Sequence, residues 1–215
     1  MAFGGWPAEA IEFFEGLEAD NSKVYWEAHK ATYERCVRGP LMELLQELAP
    51  DFGSAKVFRP YRDVRFSRDK SPYKTNIAAM VGDTGYLSLS AEGLGVGSGM
   101  YHLAPDQLER YRRAVADDVT GAELAPVAAA LRKKGHELIA HDRLKTAPKG
   151  YAKDHPRVEL LRCKGLAAFR QWEPAAWLGT RKAKDRVVDG LRAGLPLGRW
   201  LAAHVGPSTV EPSGR

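Results

Sequence analysis

Cysteine is scarce in this chain. Cys36 and Cys163 are the two it has, far apart and in neither a CxxC nor a CxxxC spacing, which argues against a disulfide framework and against a thiolate zinc site. Both are expected as reduced, buried thiols, since Cys36 lies in an amphipathic helical pattern and Cys163 follows Leu160 and Leu161. Long apolar runs are also missing. No stretch approaches the roughly 18 to 20 residues of a membrane span, and the opening MAFGGWPAEAIEFFEGLEAD is acidic, without the basic region and apolar core of a signal peptide. The expectation is a cytoplasmic protein with no membrane contact.

Several catalytic signatures are absent too. There is no HExxH, and His136 and His141 are five apart, about 140° around a helix and so off one face. Asp142 beside His141 reads as a loop pair, and His29, His102 and His204 stand alone as structural or solvated residues. No metal and no cofactor are therefore expected. Gly97-Ser98-Gly99 falls inside a strand pattern and is not a GxSxG elbow. The run GLGVGSG lacks GxGxxG spacing, has no following GK[ST] and opens no helix, so it is not a nucleotide loop. Asp154-His155 is the one adjacent acid/base pair in a basic, loop-like setting, and sequence adjacency alone does not supply the spatial partners that such catalysis needs.

What the chain does have is charge arranged in blocks. The net charge of +5 divides into −6 over residues 1–55, +5 over 56–74, −1 over 75–148, +6 over 149–192 and +1 in the remainder. Two outcomes are open: the acidic first helices neutralise the basic block internally, or the basic block is left for an anionic ligand.

Residues 7–20 carry Ile11, Phe14 and Leu17 at helical spacing, with Pro7 suited to a first turn. A second helix is expected over Lys23–Arg38, capped from Asp20-Asn21-Ser22 and broken by Gly39-Pro40, and a third over Leu41–Leu48, ended by Pro50. The period then changes. Val57-Phe58, Val64 with Phe66, Ile77–Val81, Tyr86–Ala91 and Leu94–Gly99 read as strands, with Glu92-Gly93 as a hairpin turn. Gly95, Gly97 and Gly99 fall on one face of the returning strand, where another chain segment can approach closely. Helices are expected from Pro105, over Ala122–Lys134 and from Pro156 through Cys163, with a mainly helical remainder. This order gives an α+β fold, a central antiparallel sheet of about four to six strands flanked by N-terminal and C-terminal helices. A single domain over 1–205 and a disordered tail over 206–215 are expected.

The most distinctive stretch is RPYRDVRFSRDKSPYK, Arg59 to Lys74. If extended, it places Asp63 and Arg65 on one face and Val64 and Phe66 on the other, anchoring the segment while presenting charge. Arginine offers a planar fork of donors to carboxylate or phosphate. The string RxxRDxRFxxDKxPYK resembles the signature of a family of uncharacterised proteins, domain of unknown function 2461. The early tryptophan, the Asn21 to Lys23 helix start, EGLGVGSGMYHL, Pro148-Lys-Gly-Tyr151 and Asp154-His155-Pro156 extend the resemblance over nearly the whole chain. That family has no established activity, substrate or catalytic residues, so the resemblance implies no chemistry.

The candidate anion-binding residues are Arg59, Arg62, Arg65, Lys70 and Lys74, helped by Lys149 and His155, where a loop runs into a helix N-terminus. Asp63, Asp69, Tyr73, Tyr151 and Asp154 are supporting candidates. Three functions remain open. The first is engagement of a phosphate-bearing or other anionic ligand, including nucleic acid stacked on Tyr61, Phe66 and Tyr73. The second is an enzyme acting on a small phosphorylated or carboxylated metabolite, with Asp63, Asp69 or His155 handling protons. The third is an interaction protein whose arginines are internal ion-pair partners.

Overall fold

A computed structural model describes residues 2–65 and 67–210. Its fold is α+β, built on an antiparallel open sheet of six strands: β1 Ala55–Val57, β2 Asn76–Val81, β3 Gly85–Ser90, β4 Gly93–Met100, β5 Glu137–Ile139 and β6 Leu166–Trp172. Their order in the sheet is β1-β2-β3-β4-β6-β5. By packing, the chain forms two compact units: one from Met1–Val96 and Gln171–Gly190, the other from Gly97–Arg170 and Leu191–Arg215. No helix among the described residues is long and apolar enough to cross a membrane.

In the first unit, α1 (Glu9–Ala19) buries Ala10, Ile11, Phe13, Phe14 and Leu17, the stripe its periodicity predicts. Ser22 caps α2 (Lys23–Thr32), accepting from the Tyr25 N–H at 3.1 Å. The expected break at Gly39-Pro40 does not occur. A π-helical turn over Tyr33–Arg38 leads directly into α3 (Gly39–Phe52), with the Gly39 N–H reaching back to the Glu34 carbonyl. The wider turn accommodates a proline in the first turn of α3, where its missing N–H costs little. Nor does Pro50 end α3; the helix runs past it to Gly53, whose φ of +87° turns the chain toward β1.

The pleat divides β2 and β3 cleanly. Register pairs Ile77 with Leu89, Ala79 with Leu87 and Val81 with Gly85, so one face is apolar and buried. The other face pairs Asn76 with Ser90, Ala78 with Ser88 and Met80 with Tyr86, and is largely polar. The hairpin turn falls one residue earlier than expected, at Ala91-Glu92, because Gly93 is already the first residue of β4. Its φ is +97° and a Cβ there would lie 2.3 Å from the Trp172 carbonyl oxygen, so both conformation and space demand glycine. Close approach to β4 also occurs on the face of Val96, from a helix glycine: a Cβ on Gly190 of α7 (Lys182–His204) would meet the Val96 side chain at 2.8 Å.

Glu47 on α3 fastens the ends of this unit. Its carboxylate accepts from the Phe3 N–H (2.8 Å), Lys184 Nζ (2.6 Å) and Arg181 Nη2 (3.1 Å), and these donors, Lys184 foremost, lower its pKa to about 2.

The second unit packs α4 (Pro105–Ala116), α5 (Thr120–Lys133), α6 (Val158–Leu161) and the end of α7 around Tyr111, Leu124, Leu161, Leu166, Trp200 and Leu201. The Trp200 indole donates to the Thr120 carbonyl at 2.9 Å. The remainder after Cys163 is mainly helical, as α7 over Lys182–His204, but the stretch between Pro156 and Trp172 departs from expectation. The expected helix is a single turn, and Leu166–Trp172 is a strand with its first three residues buried. Ala167 and Ala168 conceal the strand from periodicity, and pairing with Leu138 and Ile139 of β5 decides it. At the chain end, the Asp106 carboxylate accepts from Ser208 Oγ and from the Thr209 N–H, each at 2.8 Å. Residues 211–215 of the expected tail lie outside the described residues, as does Phe66.

Candidate anion site on the arginine segment

Among the described residues of 58–75 there is no regular ladder, and the expected strand is absent at Val64. The segment is a loop pinched at its neck. Tyr61 and Tyr73 pair as an isolated antiparallel bridge, the Arg62 N–H donating to the Pro72 carbonyl (2.9 Å) and the Lys74 N–H to the Pro60 carbonyl (2.8 Å). Asn21 clasps that neck. Its Nδ2 donates to the Tyr73 carbonyl and its Oδ1 accepts from the Tyr73 N–H, both at 3.1 Å. The Tyr73 ring stacks on Trp26 with centroids 4.4 Å apart and planes within 7°. Tyr73 is therefore 5% exposed and serves as an anchor, unavailable for stacking on a base, whereas Tyr61 remains 49% exposed.

The acidic first helices do not neutralise the arginines. Their ion-pair partners come from within the loop, not from the acidic first helices. Arg65 grips Asp63 with Nε on Oδ1 (3.0 Å) and Nη2 on Oδ2 (2.7 Å), and this pairing lowers the Asp63 pKa to about 2. Asp69 accepts from Ser71 Oγ (2.6 Å) and the Ser71 N–H (2.9 Å), and pairs with Arg62. Those contacts, Ser71 first, hold its carboxyl well below the usual carboxylate range. Lys70 Nζ donates to the Val64 carbonyl at 3.0 Å.

Arg59 and Lys74 are left over, as is the exposed Arg68. No carboxylate among the described residues lies within ion-pair distance of Arg59 or Lys74. Lys74 Nζ is over the Phe58 ring, 5.4 Å from its centroid. Burial and then the Arg59 charge push the Lys74 pKa down. Lys74 and Arg62 line a groove of about 390 Å³ with Glu18, Thr75, Asn76, Ser90 and Glu92. The polar face of the sheet supplies its floor: Asn76 and Ser90 are register partners, and the Tyr86 phenol bonds both Ser88 and Asn76.

Lys149, Tyr151, Asp154 and His155 belong to the second unit. Lys149 and Asp154 are exposed, Tyr151 packs against that unit's core, and His155 Nδ1 accepts from the Arg157 N–H at 3.0 Å. The helix that this loop runs into, α6, is one turn of four residues with no side-chain cap. The nearby cations are spoken for as well. Arg162 bonds the Leu144 carbonyl (2.7 Å) and Glu159 (2.8 Å), and Lys164 pairs with Asp142 at 2.5 Å. Arg157, which drew no notice in the sequence, caps the end of α4, donating to the Val115, Ala116 and Asp117 carbonyls at 2.6, 3.0 and 3.1 Å.

His102 and His141 do not stand apart: their rings meet edge to face at 5.1 Å. Among the described residues no group of three or more His, Cys, Asp and Glu side chains is arranged to hold a metal ion. Cys36 and Cys163 are free and buried.

Three groove residues carry no motif that would have announced them. Glu18 lies on α1, Ser90 ends β3 and Glu92 sits in the turn after it, and only folding brings them to Lys74. Comparison with curated proteins finds no significant match. The family profile described as conserved hypothetical protein (DUF2461) matches residues 9–200. With loop, clasp and hairpin all inside that span, the chain belongs to the DUF2461 family.

Proposed function

We propose that this is an intracellular protein that engages a phosphate-bearing or other anionic ligand through Arg59, Arg62 and Lys74. The observation that carries the reading is the pairing of Asp63 with Arg65 and Asp69 with Arg62, which leaves Arg59 and Lys74 in each other's field with no carboxylate in contact, the nearest influence on Arg59 being Asp63, already gripped by Arg65. Adjacent like charges without a contacting counterion gain from an incoming anion. Asp63 and Asp69 are poor candidates for proton transfer near neutral pH, because both are held ionised by their partners.

Titration calorimetry with pyrophosphate at low salt tests the reading. Binding is expected for the native protein, weakened about tenfold or more in Lys74→Met and Arg59→Met, and falling with added salt. No measurable binding, or equal binding by the variants, would remove it. Nucleic acid is the less favoured form of the ligand, since Tyr73 is buried and two of the arginines are already paired. A second reading, with the arginines as internal braces, is favoured by the two-point contact between Arg65 and Asp63.

A further inference from the structure

The groove beside Lys74 holds charges of both signs that do not satisfy one another. Arg62 and Lys74 line it together with Glu18 and Glu92. Glu18 and Glu92 are exposed, and their carboxylates have no hydrogen-bond or ion-pair partner among the described residues. Lys74 likewise has no carboxylate within 4 Å. Between the charges lie the neutral polar groups of Thr75, Asn76 and Ser90. The Glu92 backbone is fixed at both ends of the residue, its N–H donating to Ser90 Oγ (3.2 Å) and its carbonyl accepting from Gln171 Nε2 (3.0 Å). That carboxylate therefore projects from an ordered turn.

A simple anion in such a groove is drawn by two cations and repelled by two carboxylates. A cation meets the reverse. A compact molecule with an anionic group at one end and an ammonium at the other satisfies Lys74, Glu18 and Glu92, and adds a second partner to Arg62, whose Nη1 is already paired with Asp69. Building on the anionic-ligand reading above, we infer that the groove takes a small zwitterion, a phosphate joined through a short linker to a primary amine. Arg62 and Lys74 hold the phosphate, Glu18 and Glu92 hold the ammonium, and Asn76 and Ser90 bond the linker end. The same chemistry exists as a free metabolite and as a lipid headgroup.

Calorimetric titration of the full chain with inorganic phosphate and with O-phosphoethanolamine separates this inference from the reading beneath it. Phosphoethanolamine is expected to bind at least about fivefold more tightly than phosphate, given what one exposed ion pair is worth and that two carboxylates contribute. Glu18→Gln with Glu92→Gln is expected to abolish that preference while leaving phosphate binding equal or stronger, and Lys74→Met to weaken both ligands. Both acidic sites are exposed, so the double variant keeps its fold, as circular dichroism will register. Equal affinity for the two ligands, or a preference that survives the double variant, overturns the zwitterion and spares the anion site. Failure of both ligands to bind overturns both. Co-sedimentation with phosphatidylethanolamine vesicles identifies the headgroup as the source if the protein pellets, and the free metabolite if only the soluble compound binds.

Discussion

Arg65 and Arg62 look alike in the sequence and are spent alike in the structure, each on an aspartate of its own loop. Because these pairs are local and open to solvent, Arg62→Ala and Arg65→Ala are each expected to shift the urea midpoint no more than an ordinary surface substitution does. A shift several times larger would favour the brace reading. Arg157 is the opposite case. Its side chain is 15% exposed and serves three carbonyls at the end of α4, so Arg157→Ala is expected to cost about 1–3 kcal/mol. Density of charge singled out the first two in the sequence, but nothing local marks the third, whose carbonyl partners lie some 40 residues earlier.

At the scale of elements, legibility followed the range of the interaction that decides each one. The β3 strand was readable because Leu87 and Leu89 alternate with Tyr86 and Ser88, a pattern carried within six residues. The β6 strand was not, because Leu166-Ala167-Ala168-Phe169 has no period and its pairing with β5 comes from 30 residues away. The π-turn at Tyr33–Arg38 has no sequence signal beyond the proline that it accommodates. The same contrast holds in the candidate site. Its arginines were visible; the Asn21 clasp on Tyr73, 52 residues distant, and the carboxylates of Glu18 and Glu92 were not. Asn21→Ala removes both clasp bonds and is expected to cost about 1–2 kcal/mol, with hydrogen exchange accelerated at the Tyr73 amide first. Helix α7 depends on small residues in a similar way. In the second unit a Cβ on Gly194 would lie 2.2 Å from the Ser98 Cβ, so Gly194→Ala is expected to lower stability by about 1–3 kcal/mol, read from the shift in urea midpoint.

Across the whole molecule, the blocks of charge resolve into short-range arrangements of different kinds. The acidic first 55 residues send Glu47 to Arg181 and Lys184, not to the arginine loop. This has a definite acid signature. Glu47, lowered from 4.5 to about 2, contributes stability that is complete above its unfolded pKa and is lost as pH falls from about 4.5 toward 2. Unfolding measured across that window should be flatter in Glu47→Gln than in the native chain. His136 acts at higher pH. It is buried, neither ring nitrogen has a partner, and burial, then Arg170, depresses its pKa below 6.5. The unfolded chain therefore binds the proton first, and stability declines as pH drops through 6.5, a limb expected to vanish in His136→Phe.

The Tyr73 ring lying flat on Trp26 also gives the loop an optical voice. Lys74, one residue beyond that ring, lines the groove, and Asn21 holds the intervening backbone. A molecule that settles on Lys74 pulls directly on the stacked pair, and the emission of one indole among five then reports occupancy without a label. A chain that keeps Trp26 and carries phenylalanine at the other four tryptophans would turn fluorescence intensity into a binding isotherm.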